Sequence, residues 1–364
     1  MKRLKYILMG VALLLVAASS NAQLAGKNVL LIHGFRTQHI LNPPSDEGLA
    51  DSLTYWADFA PALTDPATTR ILYWPSHYRL PGAGGIAALI SSELKPILES
   101  GFCDDQCIVI THSTGDLVAR YVLANKLSLL GPSLADRFRV AAVIDMAGAG
   151  GGTDLANLAV DVSKGVNIGA DVSLVLVGFA GFNFGYGMNP GVLVDLQPNV
   201  ARNTAVSKIS AIPRLRIVGS GDEPYGFGTH MLIKGKDDSV VPLHSACGAA
   251  DSGAYDSCVK DLRMDGCVTS VSNAPSLSQL YDYHYPIILS ASTAHNDVKR
   301  NQTGHDMTFA LSGTDYYNNS DVKSIDVAVE HETRRNWWDW FHEYRLITGA
   351  KDKTMGQVIV DSFE

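Results

Sequence analysis

Short runs of consecutive apolar residues alternate along this chain with stretches whose apolar residues recur every three or four positions. The runs lie within Asn28 to Phe35, Arg70 to Trp74, Cys107 to Ile110, Val140 to Met146, Arg214 to Gly219 and Tyr285 to Leu289. Continuous apolar runs bounded by glycine or polar turns suit strands buried on both faces, as in a parallel sheet. Between them, Ile86, Leu89, Ile90, Leu94, Ile97 and Leu98 mark one face of a helix. Leu117, Val118, Tyr121 and Val122 mark another. Strands alternating with helices predict linked βαβ units and an α/β fold, with a mainly parallel sheet covered by helices on both faces. His230 to Gly235 reads as a further strand, and Tyr285 to Leu289 as the last strand of the sheet.

The stretch from Gly148 to about Asn203 breaks this alternation. It opens on Gly148-Ala149-Gly150-Gly151-Gly152-Thr153 and continues through the apolar, glycine-rich Leu174 to Met188. Two readings fit: a core helix, or a mobile cap over a site, hinged on glycines. Near the C-terminus Trp337, Trp338, Trp340 and Phe341 form an aromatic cluster, read as packing.

The sharpest local signal is Cys107 to Val122. A short apolar strand runs into a tight corner with Ser113 at its tip, and a helix follows from Asp116. Strand, corner and helix together make a nucleophile elbow, which lifts a serine hydroxyl above the sheet. Strand and helix nearly touch at such a corner, so small residues are needed two positions either side. Thr111 and Gly115 stand there, a threonine replacing the usual first glycine. A helix cap would explain one residue; the elbow explains all three parts.

Thr111-His112-Ser113-Thr114-Gly115-Asp116-Leu117-Val118-Ala119-Arg120 resembles the elbow of bacterial secreted triacylglycerol lipases and related α/β-hydrolases. The resemblance is specific there and patchy over the rest of about Asn28 to Gln302. It implies an α/β-hydrolase fold with an apolar cap or lid inserted at about 148–203, and carboxylic ester hydrolysis through an acyl-enzyme. It also implies that Phe35, after His33-Gly34, and Thr114 supply the two oxyanion-hole amides; His33 itself reads as a satisfied histidine at a strand end.

A serine hydroxyl needs a base and a charge-stabilising site. In α/β-hydrolases the acid and then the histidine follow the serine along the chain. Asp222 and Asp238 compete for the acid. Asp238-Ser239-Val240-Val241-Pro242 resembles the acid loop of the lipases, which favours Asp238. His284, His295 and His305 follow. His284, between tyrosines at a strand start, reads as packing. His295, in the loop after the last strand, matches the resembled pattern, with His305 as rival base. No cofactor is called for. Some of the resembled lipases hold calcium through a carboxylate two residues after the histidine, where Asp297 stands, so calcium stays open.

Composition bounds these readings. The 364 residues, 46% hydrophobic and 18% charged, allow a sizeable core, and a net charge of −8 without a basic stripe argues against a nucleic-acid partner. Met1-Lys2-Arg3-Leu4-Lys5, an apolar run from Tyr6 to Ala18 and Ser20-Asn21-Ala22 read as a secretory signal peptide over 1–22, ahead of a hydrolase domain over 23–364. The run is too short for a membrane anchor, and no other stretch spans a bilayer. The expected location is secreted or periplasmic, where disulfides form. Cys103 and Cys107 bracket a turn that a disulfide closes; two of Cys247, Cys258 and Cys267 pair and leave one thiol. The spacings do not resemble a zinc site. A lipid or ester substrate, met at a lipid–water interface, makes lipase the first expectation. A short-chain esterase or polyester depolymerase comes next, and a non-catalytic binding protein on the same fold stands as the alternative from another class.

Overall fold

The computed structural model describes residues 24–43, 48–59, 63, 65–173, 185–205, 212–223, 226–255, 257–258, 262–269, 279–300, 304–310, 327 and 329–363. The expected signal peptide over 1–22 and the apolar run over 174–184 lie outside them.

Among the described residues ten strands form two sheets. β1 (Asn28–Ile32), β2 (Thr69–Leu72), β3 (Cys107–His112), β4 (Val140–Met146), β5 (Arg214–Gly219), β7 (His284–Ser290) and β8 (Thr308–Phe309) make the main sheet, in the order β2-β1-β3-β4-β5-β7-β8. Every pairing is parallel except the last, in which β8 runs antiparallel to β7. The strand of Tyr285 to Leu289, the last clear one in the sequence, is followed at the sheet edge by β8. β8 is two residues long, too short to leave a periodic signal in sequence. β6 (Cys267–Val268), β9 (His331–Arg334) and β10 (Glu343–Ile347) form a separate antiparallel sheet.

Alternate residues of the central strands feed two cores. Leu30, Ile32, Val109, Val143 and Val218 face one side with the helices α2 (Ile86–Glu99) and α3 (Gly115–Ala124). Val29, Leu31, Ile108, Ile110, Ile144, Leu215 and Ile217 face the other with Trp56, Phe59 and the helix α5 (Met355–Ser362). Burial on both faces is the reason these strands read as unbroken apolar runs. Tyr55 and Trp56 close the helix α1 (Gly48–Trp56).

Two further expectations are corrected. His230 to Gly235 forms turns, not a strand: the Leu232 and Ile233 amides donate back to the Thr229 carbonyl (2.8 and 3.1 Å) and the Lys234 amide to Asp154 (3.1 Å), so none of the three is left for a sheet. The aromatic cluster does not pack: Trp337, Trp338, Trp340 and Phe341 are 69–95% exposed in the turn between β9 and β10. Cys103 bonds Cys107, Cys247 bonds Cys258, and Cys267 remains a buried free thiol. Among the described residues no helix is long and apolar enough to cross a membrane.

Candidate active site

β3 ends at His112, and α3 starts at Gly115. Ser113, between them, has φ 57°, the left-handed region that costs a non-glycine residue energy. Backbone bonds hold it there: its amide donates to Met146 O (3.0 Å), and its carbonyl accepts from the Asp116 and Ala149 amides (3.1 and 2.9 Å). A Cβ on Gly115 would collide with the carbonyl oxygens of Ile32 and His33, so helix and β1 meet there as the elbow geometry requires. Thr111 fits at the other small position because its hydroxyl turns away and donates to Asp145 Oδ1 (2.6 Å).

The acid and base loops meet beside this corner. His295 Nδ1 lies 2.8 Å from Asp238 Oδ2, with both side chains nearly fully buried. The other oxygen of Asp238 accepts from the Val240 and Val241 amides (3.0 and 2.7 Å). The His295 amide donates to the Asp238 carbonyl (3.1 Å), so backbone and side chain both tie the two residues. Glu223 braces the same junction, accepting from the Asn296 amide (2.6 Å) while its own amide donates to Ser239 Oγ (2.9 Å). Glu223 carries no motif that sequence reading could have used.

Ser113 and His295 line one cleft of about 280 Å³. Phe35 and Thr114, the two residues expected to supply oxyanion amides, also line it, as do Tyr55 and His112. Its apolar wall comes from Leu155, Ala156, Leu193, Leu196, Val240 and Val241. Four of these come from residues 148–203: Leu155 and Ala156 in the helix α4 (Asp154–Ser163), Leu193 in the turn at Gly191–Val194, and Leu196 just after it. His33 is occupied structurally: it stacks on Trp74 (centroids 4.8 Å apart) and its Nδ1 faces Gly34 O (2.7 Å), shaping the loop that carries Phe35.

The remaining candidates stand elsewhere. Asp222 is solvent-facing and paired with His230 Nε2 (2.5 Å); His230 Nδ1 in turn meets Asp237 (2.7 Å). His284 is buried and faces the Asp282 carbonyl (2.9 Å). His305 lies in a bend before β8 and is not among the cleft-lining residues. Asp297 pairs with Arg300 (2.9 Å), and among the described residues no three His, Cys, Asp or Glu side chains cluster as metal ligands would.

A second polar constellation lies behind the elbow. Asp116 of α3, Asp145 of β4 and Arg214 and Arg216 of β5 are all buried. Arg216 bridges Asp116 (2.6 Å) and Asp145 (3.2 Å); Arg214 does the same (3.0 and 3.2 Å). Burial alone would raise the Asp116 pKa, but Arg216 and then Arg214 hold it below the usual carboxylate range. Asp116 also accepts from the Gly150 amide (2.8 Å), and Arg120 donates to the Gly150 carbonyl (2.7 Å). A Cβ on Gly148 would fall 2.6 Å from Arg216 Nη2, and one on Gly150 2.6 Å from Arg120 Nη1. Gly148 and Gly150 therefore serve close packing against fixed charges. A signal for this cluster existed: two arginines alternating within a central apolar strand need buried acids.

No family model matches the sequence, and no curated protein sequence does. Among solved structures, the mature lipase BlEst2 of Bacillus licheniformis aligns over 61% of this chain and 79% of its own, at 15% identity and TM-score 0.39. Phospholipase PlaB of Legionella pneumophila aligns over 60% of this chain and 45% of its own, at 15% identity and TM-score 0.37. The lipase of Staphylococcus hyicus aligns over 61% and 79%, at 13% identity and TM-score 0.35. With its parallel sheet order, its antiparallel edge strand and a serine on a left-handed corner between β3 and α3, this chain has the α/β-hydrolase fold.

Proposed function

We propose that this protein hydrolyses carboxylic esters with apolar acyl chains through a Ser113–His295–Asp238 triad, and that it is a lipase. The observation that carries this reading is the Asp238–His295 contact of 2.8 Å placed beside a serine in the left-handed region. A carboxylate on Nδ1 selects the tautomer whose Nε2 holds a lone pair. That nitrogen takes the Ser113 proton as the hydroxyl attacks the ester carbon. The Phe35 and Thr114 amides receive the oxyanion. His295 then returns the proton to the leaving alcohol, and water repeats the cycle to release the acid. Asp238 holds the ring and offsets its charge.

The apolar wall of Leu155, Ala156, Leu193 and Leu196 supports an apolar acyl group and a lid role for the insertion. The basic, apolar N-terminal stretch and the two disulfides support export. Calcium through Asp297 is not part of this proposal, because Asp297 is engaged with Arg300. A second reading, short-chain esterase, is favoured by the cleft volume of about 280 Å³, at the small end for ligand pockets.

Covalent labelling by a fluorophosphonate tests the enzyme reading. Wild type should be labelled at one site, and Ser113→Ala should not be. An unlabelled wild type that still binds apolar esters would favour a non-catalytic binding protein. Rates on emulsified long-chain and soluble short-chain esters separate the two enzyme readings; a lipase gains rate once substrate exceeds its solubility.

A further inference from the structure

Tyr55 stands where the three loops of the site meet. Its phenol oxygen is hydrogen-bonded to His112 Nδ1, on the elbow. The same oxygen also packs closely against Gly34, on the loop before Phe35. A Cβ on Gly34 would lie 2.5 Å from that oxygen and 2.7 Å from Ser113 Cβ, so Gly34 is wedged between phenol and nucleophile. The ring faces carry Lys299 Nζ at 4.5 Å, from the segment after His295, and Arg36 Cζ at 5.3 Å, from the Phe35 loop. His112 continues the chain: its Nε2 is 2.9 Å from the His295 carbonyl, and the two rings are 4.8 Å apart.

Donor and acceptor roles follow from the far end. A backbone carbonyl only accepts, so His112 Nε2 carries the hydrogen. Nδ1 then presents a lone pair, and the Tyr55 hydroxyl donates to it. Burial keeps His112 neutral, with its pKa well below the ordinary histidine value, and keeps the Tyr55 phenol protonated. The path ends on an amide carbonyl, so it relays no proton. It is a strut.

We infer that Tyr55 is a positioning residue: through His112 it fixes the backbone of His295, and through Gly34 it fixes the oxyanion loop, both relative to Ser113. This rests on the ester-hydrolase reading above. The chemistry needs such a strut because His295 sits on a loop. A displacement of about 1 Å in a reacting group can cost on the order of a hundredfold in rate.

Tyr55→Phe keeps the ring and both cation contacts and deletes only the hydroxyl. On p-nitrophenyl butyrate, kcat should fall about 10–100-fold with KM changed by less than about threefold. The fluorophosphonate labelling rate should fall by a similar factor, while labelling still reaches one equivalent per chain. His112→Asn, with Tyr55 intact, should give a comparable loss, and the double variant should lose little more than the worse single, because both cut one strut. A Tyr55→Phe enzyme within about twofold of wild-type kcat, or independent, multiplying losses in the double variant, would overturn the inference alone. A wild type inert to both ester and fluorophosphonate overturns the ester-hydrolase reading and the inference with it. If Tyr55→Phe does not fold, His112→Asn supplies the same kcat-against-KM readout and decides alone.

Discussion

Two polar constellations flank Ser113, one fully buried and one half-buried, and they handle charge differently. Behind the elbow, Asp116 and Asp145 are each paired with both Arg214 and Arg216; the arginines hold Asp116 below the usual carboxylate range, while burial pushes Asp145 up. In front of it, Tyr55 and His112 are kept neutral by burial, and Lys299 is brought down to about 8 by burial, with Arg300 and Arg36 adding to it. Cancelled charge makes a rigid base, since no member can leave without stranding the others. The neutral His112 ring lies beside His295, the proposed base, with the ring centroids 4.8 Å apart. The two clusters therefore do different work: the rear one holds the strained corner at Ser113, and the front one joins the loops around it through Tyr55 and His112.

The comparison can be broken first at Arg216. Arg216→Met leaves Asp116 and Asp145 short of a partner, and should cost about 3–5 kcal/mol, read as a lowered urea midpoint. A midpoint equal to wild type would mean that the rear cluster is not what holds the elbow.

Gly150 tests how far that rigid base extends. Gly150→Ala pushes a methyl against Asp116 and Arg120 and should cost about 1–3 kcal/mol. Gly82→Ala is the control: at φ 105° it meets nothing within 4 Å, so only backbone strain of about 1 kcal/mol or somewhat more applies. Equal losses would place Gly150 outside the rigid base.

The front cluster has the smallest signature, in pH. Lys299 binds its proton less readily when folded (about 8) than its ordinary value of 10.5 allows. Between those values the unfolded chain holds more protons, so stability rises with pH across that window. Lys299→Met should flatten the rise. An unchanged slope would show that Lys299 is not the group responsible.

Much of the site was legible. The elbow is local: residues 107–122 carry strand, corner and helix in one stretch. Asp238 and His295 are 57 residues apart, yet a fixed chain order made them findable. Tyr55 and His112 are also 57 residues apart, and no ordering rule connects them. Arg214 and Arg216 were read as strand residues although their charge in a buried strand asked for partners. The aromatic turn at Trp337 misled because apolar composition says what water disfavours, not what is available to cover it.

By itself the sequence determined the alternation of strand and helix, the bend that carries Ser113, and the residue types able to serve as acid and base. These depend on periodicity and local sterics, which neighbours along the chain settle. Only the tertiary structure decided that His295 rather than His305 reaches the cleft, that Tyr55 touches three loops, and that Gly148 and Gly150 are packed against charge. Those outcomes depend on which distant groups a fold brings within a few ångströms, and the energy of a contact leaves no mark on either residue alone.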